Sequence, residues 1–180
     1  MIFKDYAKYY NLIYQDKNYK EEANFAYRWA NKPKRIVELG CGTGQHAKYW
    51  TKYAHHIVGF DNSKEMLKHA YQHPNIKYFC YPIEKIKYFP YIYCECVMAL
   101  FNVMGYCMLE ECLPQLPLRR EGYFIFDIWD ASKFKKQPPT LKIKYFSLGY
   151  RVAIPEQVSK RIIKIDYIIV EGKEIKVFER

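Results

Sequence analysis

Arg35-Ile36-Val37-Glu38-Leu39-Gly40-Cys41-Gly42-Thr43-Gly44 decides how this chain is read. An apolar run ends in an acid and passes into three glycines at alternate positions. Glycine lets a backbone turn tightly and approach a ligand with no Cβ in the way. A strand that ends in such a loop and feeds a helix offers backbone N–H groups and a glycine floor to a cofactor. A second apolar run, Val58-Gly59-Phe60-Asp61, ends in another acid seventeen residues past Gly44. A carboxylate at the tip of that second strand is placed to accept hydrogen bonds from two ribose hydroxyls. The alternative reading is a structural glycine turn without a ligand.

Spacing discriminates between cofactors. The dinucleotide fingerprint is G-x-G-x-x-G, whereas the third glycine here comes two residues after the second and Gln45 stands where the fingerprint needs glycine. A nucleotide dehydrogenase is therefore disfavoured.

Outward from this loop, the pattern alternates strand and helix. Residues 5–31 read as two short helices broken near Asp16 and Asn18 and stopped by Asn31-Lys32-Pro33. Strands are expected at about 35–39, 56–60, 76–79, 94–101 and 123–128. Helices are expected from Gly44 to about Tyr53, from Lys64 to about Gln72 behind the capping group Asp61-Asn62-Ser63, and, broken by proline, over 107–116. The alternation predicts an α/β fold with a mainly parallel sheet covered on both faces. After Trp129 the pattern changes. Lys133 to Pro139 reads as a loop, and strand-like runs at 141–147, 150–154, 160–170 and 174–178 follow without helices, as in an antiparallel meander. The expected organisation is residues 1–130 as a Rossmann-like domain and 131–180 as an antiparallel β appendage of the same domain.

Half of the 180 residues are hydrophobic, enough for one full core. No apolar window is long enough for a signal peptide or a membrane span, and Cys41, Cys80, Cys94, Cys96, Cys107 and Cys112 form no C-x-x-C pair. These features predict a cytoplasmic protein with reduced thiols and no metal, since no histidine stands at ligand spacing from a cysteine. The formal net charge is +10, and the last fifty residues hold twelve Lys/Arg against five Asp/Glu. That bias suits an anionic partner or plain solubility.

The motifs Glu38-Leu39-Gly40-x-Gly42-x-Gly44 and Phe60-Asp61-Asn62-Ser63-x-x-Met66-Leu67 resemble the class I methyltransferases, which use S-adenosylmethionine. Ala99-Leu100-Phe101-Asn102-Val103-Met104-Gly105-Tyr106, Phe126-Asp127-Ile128-Trp129 and the opening Tyr10-Asn11-Leu12-Ile13-Tyr14 with Lys17-Asn18-Tyr19 resemble the subgroup that methylates amino groups of nucleotide-linked sugars. The resemblance implies a Rossmann-like class I fold. It implies that Gly40, Gly42 and Gly44 floor the methionine part, that Glu38 orients its ammonium, and that Asp61 with Asn62 holds the ribose. It also implies that Met66 lies on the adenine, that Leu100 and Phe101 border the methyl group, and that Tyr14 and Tyr19 close the pocket. Candidate general bases are Tyr14, Tyr19 and His46, the last expected neutral because a helix N-terminus disfavours imidazolium. Asp127 and Trp129 are candidates for substrate contact.

Three departures stand out. No acid follows the third strand, where the chain reads Phe79-Cys80-Tyr81-Pro82. No histidine base precedes the fifth, where it reads Leu116-Pro117-Leu118-Arg119-Arg120. The family pattern also implies two further strands and a helix beyond Arg180. The expected partner is a small anionic acceptor. A nucleic acid is the alternative, although Asn102-Val103-Met104-Gly105 replaces the proline-proline-aromatic signature of enzymes that methylate base amines. A non-catalytic, methyltransferase-like partner protein is the third reading, and a homodimer is left open.

Overall fold

In the computed structural model, residues 3–89, 93–107, 109–129, 140–159 and 163–179 are described. The chain divides into two units, residues 18–129 and residues 1–17 with 130–180.

In the first unit, helix α2 (Tyr19–Trp29) is capped by Asn18, whose Oδ1 accepts from the Glu21 N–H at 3.1 Å. Five parallel strands follow: β1 (Arg35–Leu39), β2 (His56–Asp61), β3 (Ile76–Cys80), β4 (Cys94–Ala99) and β5 (Leu118–Phe126). Their order is β3-β2-β1-β4-β5, so the direction of winding reverses between β1 and β4. β1 and β4 lie at the centre and are apolar on both faces, as strands covered on both sides must be. One face packs against α2 and α3 (Ala47–Trp50), where the fully buried Trp50 donates its indole N–H to the Ala23 carbonyl at 2.9 Å. The other face carries an aromatic cluster in which Phe60, Phe79 and Phe89 meet edge to face or stacked, with ring centroids 4.6–5.7 Å apart.

The helices are shorter than the periodicity predicts. α3 keeps four regular residues because Gly44 and the turn after it consume the first part of the segment. α4 (Lys64–Lys68) starts as expected, with Ser63 Oγ accepting from the Met66 N–H. It stops early because the Tyr71 N–H bonds back to the Thr43 carbonyl of the glycine loop at 3.0 Å. Residues 109–115 form α5 (Leu109–Cys112) and a 3-10 turn around Pro114. β5 begins five residues earlier than expected, across a bulge opposite Cys94 and Cys96. Arg119 and Arg120 therefore belong to the start of β5, on the sheet edge opposite the glycine loop.

In the second unit, α1 (Phe3–Ile13) lies on an antiparallel sheet of β6 (Lys142–Phe146), β7 (Gly149–Gln157), β8 (Ile163–Glu171) and β9 (Glu174–Glu179), in that order. The predicted meander is present; the predicted loop 133–139 and the first residues of the 160–170 run lie outside the described residues. Tyr6, Tyr9 and Ile13 of α1 are buried against Phe146, Ala153, Tyr167 and Ile169. Residues 1–17, assigned from the sequence to the Rossmann-like part, thus share a core with the meander. At the β6–β7 hairpin, a Cβ on Gly149 would stand 1.9 Å from the Val170 carbonyl oxygen of the neighbouring strand. That neighbour is backbone and cannot rotate away. Gly149→Ala is expected to destabilise the chain by about 3 kcal/mol, as overpacking against fixed atoms does, and a chemical-denaturation midpoint measures it.

Among the described residues no helix is long and apolar enough to cross a membrane. Among them the six cysteines are free thiols, and Cys41, Cys94, Cys96 and Cys112 are buried.

Candidate functional site

The C-terminal ends of β1, β2 and β4 converge where the winding reverses, the position at which open α/β sheets leave a ligand crevice. The glycine loop occupies it. Gly40, Gly42 and Gly44 all have positive φ, +61°, +55° and +69°. Two of them also admit close neighbours: a Cβ on Gly40 would stand 2.5 Å from a Val103 methyl, and one on Gly44 2.1 Å from the Tyr78 hydroxyl. Tyr78 itself is set by register, since it pairs with Gly59 on β2 and fills the space that glycine leaves. Its hydroxyl donates to the Tyr71 carbonyl at 2.9 Å.

Asp61 clamps the loop. Its Oδ2 accepts from the Gly42 N–H and its Oδ1 from the Ser63 N–H, both at 2.8 Å. Burial raises its pKa, against the lowering effect of these two bonds. Each oxygen keeps a lone pair, so the carboxylate can hold the loop and still accept two ribose hydroxyls. Asn62 is exposed, and its carbonyl receives the Cys80 thiol at 3.8 Å. Met66 is only 3 % exposed and packs beside Gly42, its Cε 3.1 Å from where a Cβ would lie. Its main contact is thus with the loop.

Glu38, at the tip of β1, is buried, and its Oε1 lies 3.5 Å from His46 Nδ1. Its other oxygen, Oε2, is buried without a hydrogen-bond partner among the described residues. An uncompensated carboxylate oxygen in the interior is costly.

His46 corrects the sequence reading. The helix it precedes has only four residues, so its dipole is slight, while two acids face the ring. Nε2 donates to Glu22 Oε2 at 3.0 Å, Nδ1 faces Glu38, Tyr19 meets the ring edge-on and Trp50 stacks on it. Burial pulls the His46 pKa down, but the bonds to Glu22 and Glu38 and their charges outweigh it, and the net shift is upward. Burial raises Glu38, against the bond and charge of His46. The upward shift favours the protonated ring, which is the form that does not accept a proton. Nothing in the spacing of Glu22 signals its part in this network; it sits on the first turn of α2 and reaches His46 only through packing.

Beyond β4 the chain enters two left-handed residues, Phe101 at φ +72° and Asn102 at φ +58°, rare for side-chain-bearing residues. Asp127 secures them: both its carboxylate oxygens accept from the Asn102 N–H, at 2.9 and 3.1 Å. Asp127 is thus engaged in fixing this loop, and Trp129, 45 % exposed, donates its backbone N–H to Asn102 Oδ1. Between α2 and the ends of β4 and β5 lies a cavity of about 420 Å3, lined among others by Glu21, Glu22, Phe25, Leu100, Phe101 and Asp127. Tyr14 belongs to the other unit, where Arg151 donates to its hydroxyl at 2.9 Å.

Comparison with known proteins agrees with this geometry. Residues 36–116 match the family model described as a methyltransferase domain. That match covers 81 of the 180 residues. It begins in β1 and includes the glycine loop, Asp61 and the β4 exit. A candidate methyltransferase of Geobacillus sp. (strain WCH70) is 24 % identical over 149 residues, 74 % of this chain; the chain spans 60 % of that relative's length. Solved structures share the fold at low identity. DesVI of Streptomyces venezuelae matches over 97 % of this chain and 81 % of its own, with TM-score 0.72 and 18 % identity. The sugar N-methyltransferase KedS8 of Streptoalloteichus sp. matches over 95 % and 75 %, with TM-score 0.74 and 14 % identity. CalS10 of Micromonospora echinaspora, an amino pentose methyltransferase solved with S-adenosylmethionine bound, matches over 100 % and 81 %, with TM-score 0.69 and 16 % identity. The expected Rossmann-like class I methyltransferase fold with a C-terminal antiparallel sheet is therefore the observed one, and S-adenosylmethionine is the cofactor of that class.

Proposed function

We propose that the chain transfers a methyl group from S-adenosylmethionine to an amino group of a small, phosphate-bearing metabolite, with a nucleotide-linked amino sugar the best fit. The observation that carries this is the pairing of two acids at the switch point: Asp61 with spare lone pairs beside the glycine loop, and Glu38 with an orphan buried oxygen. One accepts hydroxyls, the other an ammonium, and the cofactor's adenosyl and methionine ends present those groups. The cofactor supplies an activated methyl on a sulfonium, transferred by in-line displacement. The chain's own residues bind it, align it and keep water out. In this reading Gly40, Gly42 and Gly44 form the floor, Asn62 flanks the ribose and Met66 supports the adenine side from beneath the loop. Tyr19 and Leu100 border the methionine end.

The acceptor would enter the cavity at the ends of β4 and β5. Its acids, Glu21, Glu22 and Asp127, favour a group that arrives as a cation or a polar amine, and Phe25 and Phe101 supply apolar walls. An amine fits this site better than a hydroxyl, because it attacks once it has shed a proton to water and needs no strong base. A sugar N-methyltransferase and an amino pentose methyltransferase among the structural neighbours support an amino-sugar acceptor.

Isothermal titration with S-adenosylmethionine and with its demethylated product tests the cofactor half; heat at micromolar concentrations is expected, and none with either ligand defeats it. Radiolabelled methyl transfer to a panel of amino and hydroxyl sugars, free and nucleotide-linked, tests the acceptor half. Label confined to hydroxyl sugars would overturn the N-methylation reading while leaving the cofactor site standing.

A further inference from the structure

The parallel sheet has a second, strongly basic edge. At the N-terminal ends of its strands, opposite the glycine loop, lies a cleft of about 710 Å3. Of its eleven lining residues, Arg28, Lys32, Lys34, Lys52 and His55 carry or can take positive charge, and none is acidic. An adjoining hollow of about 480 Å3 shares Lys32 and Lys34 and adds Arg119 and Arg120. The acids of that hollow are Glu95 and Glu121, and Glu95 is engaged already: its carboxylate accepts from the Lys34 and Arg35 N–H groups at 2.5 and 3.1 Å and faces Arg119. The shift of β5 to an early start brings the two arginines to this edge.

Helix C-termini attract cations, and α2 ends here. That accounts for Arg28, the one basic residue in its last turn. Lys32, Lys34, Lys52 and His55 lie outside the helices and exceed what a dipole needs. Lys32 is held in a left-handed conformation, φ +57°, by its N–H bond to the Tyr27 carbonyl.

The cleft also has an aromatic wall. Tyr27 and Tyr53 stack with centroids 5.1 Å apart and planes at 25°. Tyr27 is buried beneath, while Tyr53 is 44 % exposed and is anchored through its carbonyl, which accepts from Lys34 Nζ at 3.2 Å. A fixed, half-open ring among four cations and a histidine is the pairing that recognises a nucleotide: phosphates on the cations, a base on the ring face.

We propose that this cleft binds nucleotide phosphates, with a base stacked on Tyr53, at a site separate from the methyl-transfer crevice. The ligand is either a free nucleotide or a stretch of single strand, and one assay separates them. It needs no S-adenosylmethionine, so it stands or falls independently of the proposed activity. The full chain is titrated into a short fluorescein-labelled oligouridylate over a range of salt, with AMP and inorganic pyrophosphate as competitors. Anisotropy is expected to rise saturably and to fall steeply with salt. Lys32→Glu/Lys52→Glu should weaken binding about tenfold or more and flatten the logarithmic salt dependence by about 1.4. Tyr53→Ala should weaken it about fivefold or more, an effect a purely electrostatic patch would not show. The control Lys85→Glu/Lys87→Glu makes the same change in net charge on exposed residues outside the cleft's lining, and should alter affinity less than about twofold. Full displacement by AMP but not by pyrophosphate assigns the site to free nucleotides; displacement only by unlabelled strand assigns it to polynucleotide. Absence of binding by both strand and AMP overturns the proposal. So does an equal loss in the control variant, or an unchanged affinity in Tyr53→Ala. Thermal melts of each variant show that the fold is retained.

Discussion

Asp61→Ala is expected to raise the dissociation constant for S-adenosylmethionine about a hundredfold, roughly 2.7 kcal/mol, the sum of two charge-assisted ribose bonds and a slackened loop. The slackening is concrete: the substitution frees the Gly42 and Ser63 N–H groups, which Asp61 now receives at 2.8 Å. The two contributions can be separated. A cofactor analogue lacking the ribose hydroxyls should lose only the loop's share of affinity in Asp61→Ala, whereas the natural cofactor should lose both shares. If the analogue and the natural cofactor lose affinity to the same degree in the variant, Asp61 is a loop clamp alone and does not touch the ribose.

The second large effect belongs to His46. Removing its ring in His46→Ala leaves Glu38 buried with both oxygens unpaired and opens space beside Trp50. A broken buried ion pair costs about 3 kcal/mol or more, here towards the low end because Glu22 reaches solvent. The pH dependence has a definite sign. The His46 pKa is raised on folding, so its contribution is fully present below the ordinary histidine value and is lost as pH climbs through the higher folded value. The stability gap between wild type and His46→Gln should therefore be widest in mild acid and should narrow in alkali. Denaturant melts across that range measure the gap; one that widens with rising pH would show the ring to be neutral in the folded chain, and would restore it as a candidate base.

How much of this could be read without coordinates follows from the range of the interactions involved. The strand, the alternate glycines and the second acid are local in sequence and impose local geometry, so the crevice and its cofactor class are legible in ten residues and one distant aspartate. Strand identity is legible too, because burial on both faces leaves an unbroken apolar run. Helix lengths are less so: α4 stops where Tyr71 bonds back to Thr43, a contact across 28 positions that no periodicity encodes. The start of β5 is hidden for a similar reason, since Leu118 joins the sheet by pairing with Cys94 of β4, and regular pairing resumes only at Tyr123 after an irregular stretch.

The charge state of His46 shows where local reasoning stops. Beside a glycine loop and ahead of a helix, the ring should be neutral; Glu22 and Glu38 come from positions 24 and 8 residues earlier and reverse that conclusion. Tyr78 against Gly44, Asp127 beneath Asn102 and the basic cleft at the far edge of the sheet are of the same kind. The amino-acid order alone determined the backbone bend, the two acids and the alternation of strands and helices, because each depends on neighbours along the chain. Only the folded molecule decided which acids face the histidine, which carboxylate oxygen is left without a donor and which lysines share a cleft, because electrostatic and packing energies depend on distances in space that the spacing of residues along a chain does not set.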